Sequence, residues 1–256
     1  MYIKPLWLRE KLFWRLYLRH SKRFSGLFQN ACLELAPSVF IDLLETDISH
    51  QMIAFTGFYE LPVSCEILKL AKDGGLMVDV GANYGYYSCL WASGHPNNQV
   101  LAFEASPSNA SALSSNLSSN KFESQVQVRE LAVGKETGKL QFDLGPAEQS
   151  GWGGICLEES QNSFEVSVVS LDDLFKYQSK DIDVLKIDTE GADTWVIEGA
   201  LNLLKDNRIS HIFFEENKTR MAQLGIKSGI AQKILSECGY LVEKIDTEEW
   251  HACLVD

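Results

Sequence analysis

The stretch that most constrains this chain is Met77-Val78-Asp79-Val80-Gly81-Ala82-Asn83-Tyr84-Gly85-Tyr86-Tyr87-Ser88. A short apolar run carrying Asp79 breaks at two glycines four residues apart, then continues into an aromatic-rich segment. An apolar run bounded by glycine reads as a buried strand. Strand, glycine turn and helix is the layout in which backbone N–H groups and a helix N-terminus face a ligand. The next apolar run, Val100-Leu101-Ala102-Phe103, ends in Glu104, twenty-three residues after Gly81. An acid at that distance, at the tip of the following strand, is the ribose-hydroxyl acceptor of nucleoside-binding α/β domains. The pair predicts a nucleoside cofactor.

The middle of the turn argues which nucleoside. A dinucleotide site wants Gly-x-Gly-x-x-Gly, with the second glycine bare so that pyrophosphate can approach the backbone. Here Asn83 holds the second position and the third glycine is missing. A side-chain amide suits an amino-acid carboxylate or amine better than a diphosphate. On these residues the chain resembles the class I S-adenosylmethionine (SAM) methyltransferases. More closely it resembles the FkbM family of O-methyltransferases, whose Asp-x-Gly-Ala-Asn-x-Gly turn is matched by Asp79 to Gly85. Gly57-Phe58-Tyr59-Glu60 upstream and Leu185-Lys186-Ile187-Asp188-Thr189-Glu190-Gly191-Ala192 downstream are also FkbM-like, so the resemblance spans roughly residues 50 to 217. It implies SAM as cofactor, with Asp79, Gly81, Asn83 and Gly85 at the methionyl end, Glu104 on the ribose, Ala105 against adenine and Ala132 beside it. It also implies a hydroxyl acceptor on a sugar of a polysaccharide or glycolipid, or on a secondary metabolite.

Beyond the turn, strands and helices alternate. Strands are expected at Leu76–Val80, Val100–Phe103, Val126–Leu131, Asp183–Ile187 and Ser210–Phe214. Helices follow the first at about Asn83–Ala92 and the second after Ser106-Pro107, where an N-cap precedes a proline at the first helical position. Lys139–Leu144 and Phe164–Val169 alternate like an inserted antiparallel hairpin, whose loop carries Trp152 and is a candidate cover for the site. Tyr240–Ile245 and Trp250–Val255 read as a closing hairpin. This pattern gives an α/β, Rossmann-like, doubly wound and mostly parallel sheet with a C-terminal antiparallel hairpin, plus N-terminal helices. The expected division is a basic, aromatic helical extension and connector over residues 1–55 and a methyltransferase domain over 56–256.

Open parallel sheets bind ligands at the carboxyl ends of their strands. The expected strands put Asp79, Glu104, Asp188 with Glu190, and Glu215 at successive tips. Clustered carboxylates raise one another's pKa, so four such tips read as chemistry rather than as a stabilising device. Methyl transfer to a hydroxyl needs alignment and a positioned base. Asp188 is the first candidate for base or orienter, with Glu190 and Glu215 behind it. His211, inside the fifth strand, reads as a core histidine. No spacing points to a dedicated metal site, although the Asp188/Glu190/Glu215 edge leaves Mg²⁺ as a minor alternative.

The net charge of −12 argues against nucleic acid as a partner. Residues 1–30 differ from the rest: seven basic residues against Glu10 alone make them +6, leaving −18 elsewhere. Leu6, Trp7, Phe13, Trp14, Tyr17 and Leu18 are interleaved with those charges, predicting one or two amphipathic helices over residues 1–35. They offer either a peripheral membrane contact or a helix packed on the acidic domain or across a dimer. Six scattered cysteines without a C-x-x-C pair fit reduced thiols, and no apolar run reaches a membrane span. The expected location is cytoplasmic, with a possible contact at the inner membrane face. A nucleotide-dependent dehydrogenase and a non-catalytic Rossmann-like scaffold are the rival readings; Asn83 argues against the first, and intact Asp79, Glu104 and Asp188 against the second.

Overall fold

A computed structural model describes residues 4–17, 25–145, 150–157 and 162–255. Helix α1 (Trp7–Leu12) passes into a π-helical turn at Phe13–Tyr17, and a 3₁₀ turn at Ser25–Leu27 leads to a two-residue antiparallel pair, β1 (Ala31–Cys32) and β2 (Phe40–Ile41). Among the described residues of 1–35, the one or two amphipathic helices expected there are represented by α1 and its π-helical turn. Leu18, Arg19, Lys22 and Arg23 of that expectation lie outside the described residues. Helix α2 (Ile48–Thr56) starts at Asp47, whose carboxylate accepts from His50 N, and stops at left-handed Gly57. Helix α3 (Leu61–Leu70) follows.

The central sheet then begins. Strand β3 (Leu76–Val80) is buried along its whole length, as a central parallel strand covered on both faces must be. It leads through the glycine turn to α4 (Tyr86–Gly94), β4 (Gln99–Phe103), α5 (Pro107–Asn120) and β5 (Val126–Arg129). Helix α4 starts at Tyr86 rather than at Asn83, because Asn83 and Gly85 hold φ of 48° and 85° and cannot join a right-handed helix. The third parallel strand also stops early. Ala132–Val133 leave the central sheet as β6, which pairs with β9 (Ser163–Val169) in a second sheet with β7 (Gly138–Asp143) and β8 (Gly154–Cys156). The expected hairpin is thus present as β7 and β9, with β8 added along its edge.

After α6 (Leu171–Phe175), capped by Ser170, the chain returns as β10 (Ile182–Ile187) beside β3. Helices α7 (Asp193–Glu198) and α8 (Leu201–Lys205), strand β11 (Ile209–Glu215), and helices α9 (Lys218–Gln223) and α10 (Ile230–Glu237) follow. The antiparallel pair β12 (Tyr240–Lys244) and β13 (Glu249–Leu254) closes the sheet, whose order is β12-β13-β11-β10-β3-β4-β5. Helices α3, α4 and α5 pack on one face, with Leu33, Ile41 and Ile53 from the N-terminal segment in the same cluster. Helices α6, α7, α8 and α10 cover the other. The strand order reverses at β3, with β4 on one side and β10 on the other, so the crevice of a doubly wound sheet opens at their carboxyl ends.

Backbone contact closes that point. Gly81 has φ 78°, and a Cβ there would lie 1.8 Å from the Asp188 carbonyl oxygen. Asp188 N in turn donates to Val80 O at 2.9 Å. Only glycine lets the β3 turn and the tip of β10 meet this closely.

Candidate active site

Register decides which residues share the crevice. Val80 pairs with Phe103 and with Ile187, so Gly81, Glu104 and Asp188 stand level just beyond the three strands. They open into a cleft of about 1120 Å³, its mouth to solvent included. Gly81, Asn83, Glu104, Ala105 and Ala132 line one part of it, and Asp188 and Glu190 another. Asp79, Gly85 and Glu215 do not line it. Asp79 is paired with Ala102 and Lys186 inside the sheet, one pleat below the tips where the sequence put it. Its carboxylate instead accepts from Ser88 Oγ at 2.6 Å and ties α4 to β3. Gly85 is left-handed at the start of α4, where a Cβ would strike Leu113 Cδ1 at 2.2 Å.

Glu104 is held by backbone. Its two carboxylate oxygens accept from Asn83 N and Ser106 N, each at 2.8 Å, so the acid is oriented before any ligand arrives. Burial pushes its carboxyl up to about 7 against those two hydrogen bonds. Asn83 turns with positive φ and leaves Oδ1 buried in the cleft wall without a hydrogen-bond partner among the described residues. A buried orphan acceptor is costly unless a ligand donor meets it. Much of the remaining wall is apolar and aromatic, with Phe103, Leu131, Tyr59, Tyr86, Ile41 and Ile53 among its lining.

The residues just before β8 border the cleft. Gly151, Trp152 and Gly153 line it, and the Arg220 guanidinium on α9 donates to the Trp152 carbonyl. A Cβ on Gly151 would lie 3.2 Å from Asn83 Nδ2, so the loop reaches the cofactor-type turn itself. His211 is far from this chemistry; it lies within hydrogen-bond distance of His251, 3.1 Å between ring nitrogens, on the covered face of β11 and β13.

The acidic edge is larger than the sequence indicated. Asp188 is level with Glu215, which is directly paired with Glu249 of β13. Glu60 arrives from the loop before α3 and accepts from Tyr87 Oη at 2.6 Å. Lys186, fully buried, puts Nζ 3.7 Å from Glu60 Oε2 and 3.8 Å from Asp188 Oδ2. Burial alone would lower this ammonium; Glu60, Asp188, Glu249 and Asp193 outweigh it and hold it well above its ordinary value. One buried cation thus faces several acids. Asp193 is satisfied by Thr189 and by Glu215 N, whereas Glu249 Oε2 is buried and unpartnered among the described residues. Sequence reasoning missed Glu249, which it left in the connection of the closing hairpin although it is the first residue of β13, and gave no role to Lys186 or Glu60. No group of three or more metal-type ligands is assembled among the described residues.

Burial first, then mutual repulsion, raises these acids: Asp188 to about 7, Glu190 to about 8, Glu249 to about 9 and Glu215 to about 10. Because folding raises them, the native chain keeps protons that the unfolded chain has released, and stability falls as pH rises from about 4 to about 9. Below about pH 6.5 the lowered His50, His211 and His251 act in the opposite sense, since there the unfolded chain holds the extra protons. The thermal midpoint is therefore expected to drop steadily between about pH 6.5 and 9. A level or rising midpoint across that window, followed by calorimetry, would contradict the clustered-acid account.

A mostly parallel sheet with this strand order, closed by an antiparallel hairpin and opening a cleft at its switch point, defines the Rossmann-like class I methyltransferase fold. The human methyltransferase 10 domain containing protein is similar over 93% of this chain and 97% of its own, at 13% identity and a TM-score of 0.50. Residues 79–242, more than half of the chain, match the family model described as the methyltransferase FkbM domain, and the chain belongs to that family. It is 25% identical over 148 residues to "Methyltransferase 1" of Beauveria bassiana, which covers 50% of this chain and 59% of that protein. The crystal structure of methyltransferase FkbM from Methylobacillus flagellatus aligns over 94% of this chain and 60% of that one, at 16% identity and a TM-score of 0.48. The chain thus spans about three fifths of the length of these two relatives.

Proposed function

We propose that this methyltransferase uses SAM and methylates a hydroxyl oxygen on a sugar-containing or secondary-metabolite acceptor. The observation that carries the reading is the division of one cleft. A pre-oriented Glu104 and the orphan Asn83 Oδ1 lie along one part, and Asp188 and Glu190 along another. Glu104 suits vicinal hydroxyls, and Asn83 Oδ1 suits an ammonium donor, the two polar ends of a nucleoside-linked amino acid. SAM, when bound, supplies a methyl group on a sulfonium, already activated for displacement. The chain then has to orient an acceptor, exclude water and take one proton.

Two observations support Asp188 as the acceptor of that proton: it lines the cleft, and its Oδ2 faces Lys186 Nζ, which favours the ionised form against burial. Trp152, whose carbonyl accepts from Arg220, stands at the cleft wall, where an acceptor would displace water against it. Trp152 and Tyr84 give flat apolar surfaces that suit the face of a sugar or polyketide ring. Calorimetric titration with SAM and with S-adenosylhomocysteine tests the cofactor. Micromolar binding of both is expected; no binding of either by folded protein would refute the reading.

A further inference from the structure

Helix α1 and the turn after it have two opposite faces. Arg9 and Phe13, four residues apart, point inward: Arg9 Nη1 bonds Glu34 Oε2 at 2.9 Å and the Thr56 carbonyl at 2.8 Å, and the Phe13 ring packs 6.1 Å from that of Phe55. Trp7, Lys11, Trp14 and Arg15 point outward at spacings of four, three and one, with Lys4 exposed just before them. Both indoles are 52% exposed. Lys11 Nζ stands 4.9 Å from the centroid of the Trp7 ring, so cation and indole occupy the same outer surface.

We propose that this face docks the protein onto an anionic lipid bilayer. Indole rings prefer the boundary between headgroups and acyl chains, and flanking Lys and Arg meet anionic headgroups there. The strong negative charge of the remaining chain does not prevent this. Charges separated by more than about 8 Å are screened at physiological ionic strength, so the bilayer senses the leading face. A symmetric pairing of two copies through this face is the rival occupant, and it would set Lys4, Lys11 and Arg15 against their own images. Charge complementarity therefore selects lipid.

A six-residue helix does not form alone in water, and α1 exists because Arg9 and Phe13 anchor it to Glu34, Thr56 and Phe55. The docking face is thus formed before lipid is met, and binding need not order it. Helix α2 links the face to the cleft: Phe55 and Thr56 hold α1, while Ser49, His50 and Ile53 of the same helix line the cleft. A docked molecule would keep its cleft one helix away from the lipid surface, where an amphipathic acceptor concentrates.

Co-sedimentation of the full chain with vesicles tests this, using phosphatidylcholine alone and phosphatidylcholine mixed with phosphatidylglycerol. Binding is expected to the mixed vesicles, weakening with added salt, and to be slight with phosphatidylcholine alone. Lys4→Gln/Lys11→Gln should lower partitioning by about twenty-five-fold, at about fivefold per cation. Trp7→Ser/Trp14→Ser should lower it as well, with circular dichroism showing that both variants remain folded, since Arg9 and Phe13 still anchor α1. Folded wild-type protein that ignores the mixed vesicles, or variants that bind like wild type, would overturn the proposal. So would a dimer in analytical sedimentation that Trp7→Ser/Trp14→Ser dissolves, since the face would then belong to a second copy. None of these outcomes depends on SAM binding, so the docking proposal and the cofactor reading fail separately.

Discussion

Glu104→Ala is expected to lower the affinity for S-adenosylhomocysteine by about 10²–10⁴-fold, because hydrogen bonds to a charged group contribute about 1.5–3 kcal/mol each and two are lost with the carboxylate. The substitution should not unfold the protein. It leaves Asn83 N and Ser106 N without their acceptor, at about 1–3 kcal/mol each, but also removes a carboxyl that burial disfavours as an anion. Glu104→Gln, which keeps one acceptor oxygen at the same reach, should fall between wild type and alanine. Titration calorimetry beside thermal melting separates the two effects. Normal affinity in a folded Glu104→Ala protein would overturn the ribose assignment.

Asp188→Asn is expected to slow methyl transfer by about 10²–10⁴-fold, the usual contribution of a positioned base, while S-adenosylhomocysteine affinity stays within a few-fold. Stability should hold or rise, because an acid is neutralised among Glu60, Asp193, Glu215 and Glu249 while Lys186 retains Glu60. The pH profile distinguishes a base from an orienting group. With the wild-type carboxyl near 7, the rate should climb as pH passes through about 7 and then level off. Asp188→Asn should lose that limb. A variant that keeps the limb and loses less than about tenfold would restrict Asp188 to orientation, and Glu190, also in the cleft wall, would become the base to test.

Several departures from the sequence reading trace to one cause, the absence of register from a linear pattern. The linear pattern put four acids at four expected tips, yet Asp79 is one pleat inside the sheet and bonds α4, while Glu104 and Asp188 reach the cleft. Glu215 was visible as a tip, but its partner Glu249 was not, because the register of the closing hairpin sets that pair. Ala132 lines the cleft, although Ala132–Val133 belong to the second sheet, where pairing with Val168–Val169 draws them away from the third parallel strand. The start of α4 moved from Asn83 to Tyr86 for a backbone reason that the two glycines only hinted at, the left-handed run through Asn83 and Gly85.

The sequence by itself determined the α/β alternation, the glycine turn, the acid at the next strand tip and the family likeness. These depend on local composition: apolar runs, turn formers and residue spacing within one strand–turn–helix unit. Only the tertiary structure decided that Glu104 is held by two backbone N–H groups, that Lys186 lies buried beside Asp188, and that Gly151 comes up against Asn83. Each of those joins segments that the chain separates by turns, whole strands or helices. Their contact is set by sheet register and helix packing, and no spacing along one segment encodes it.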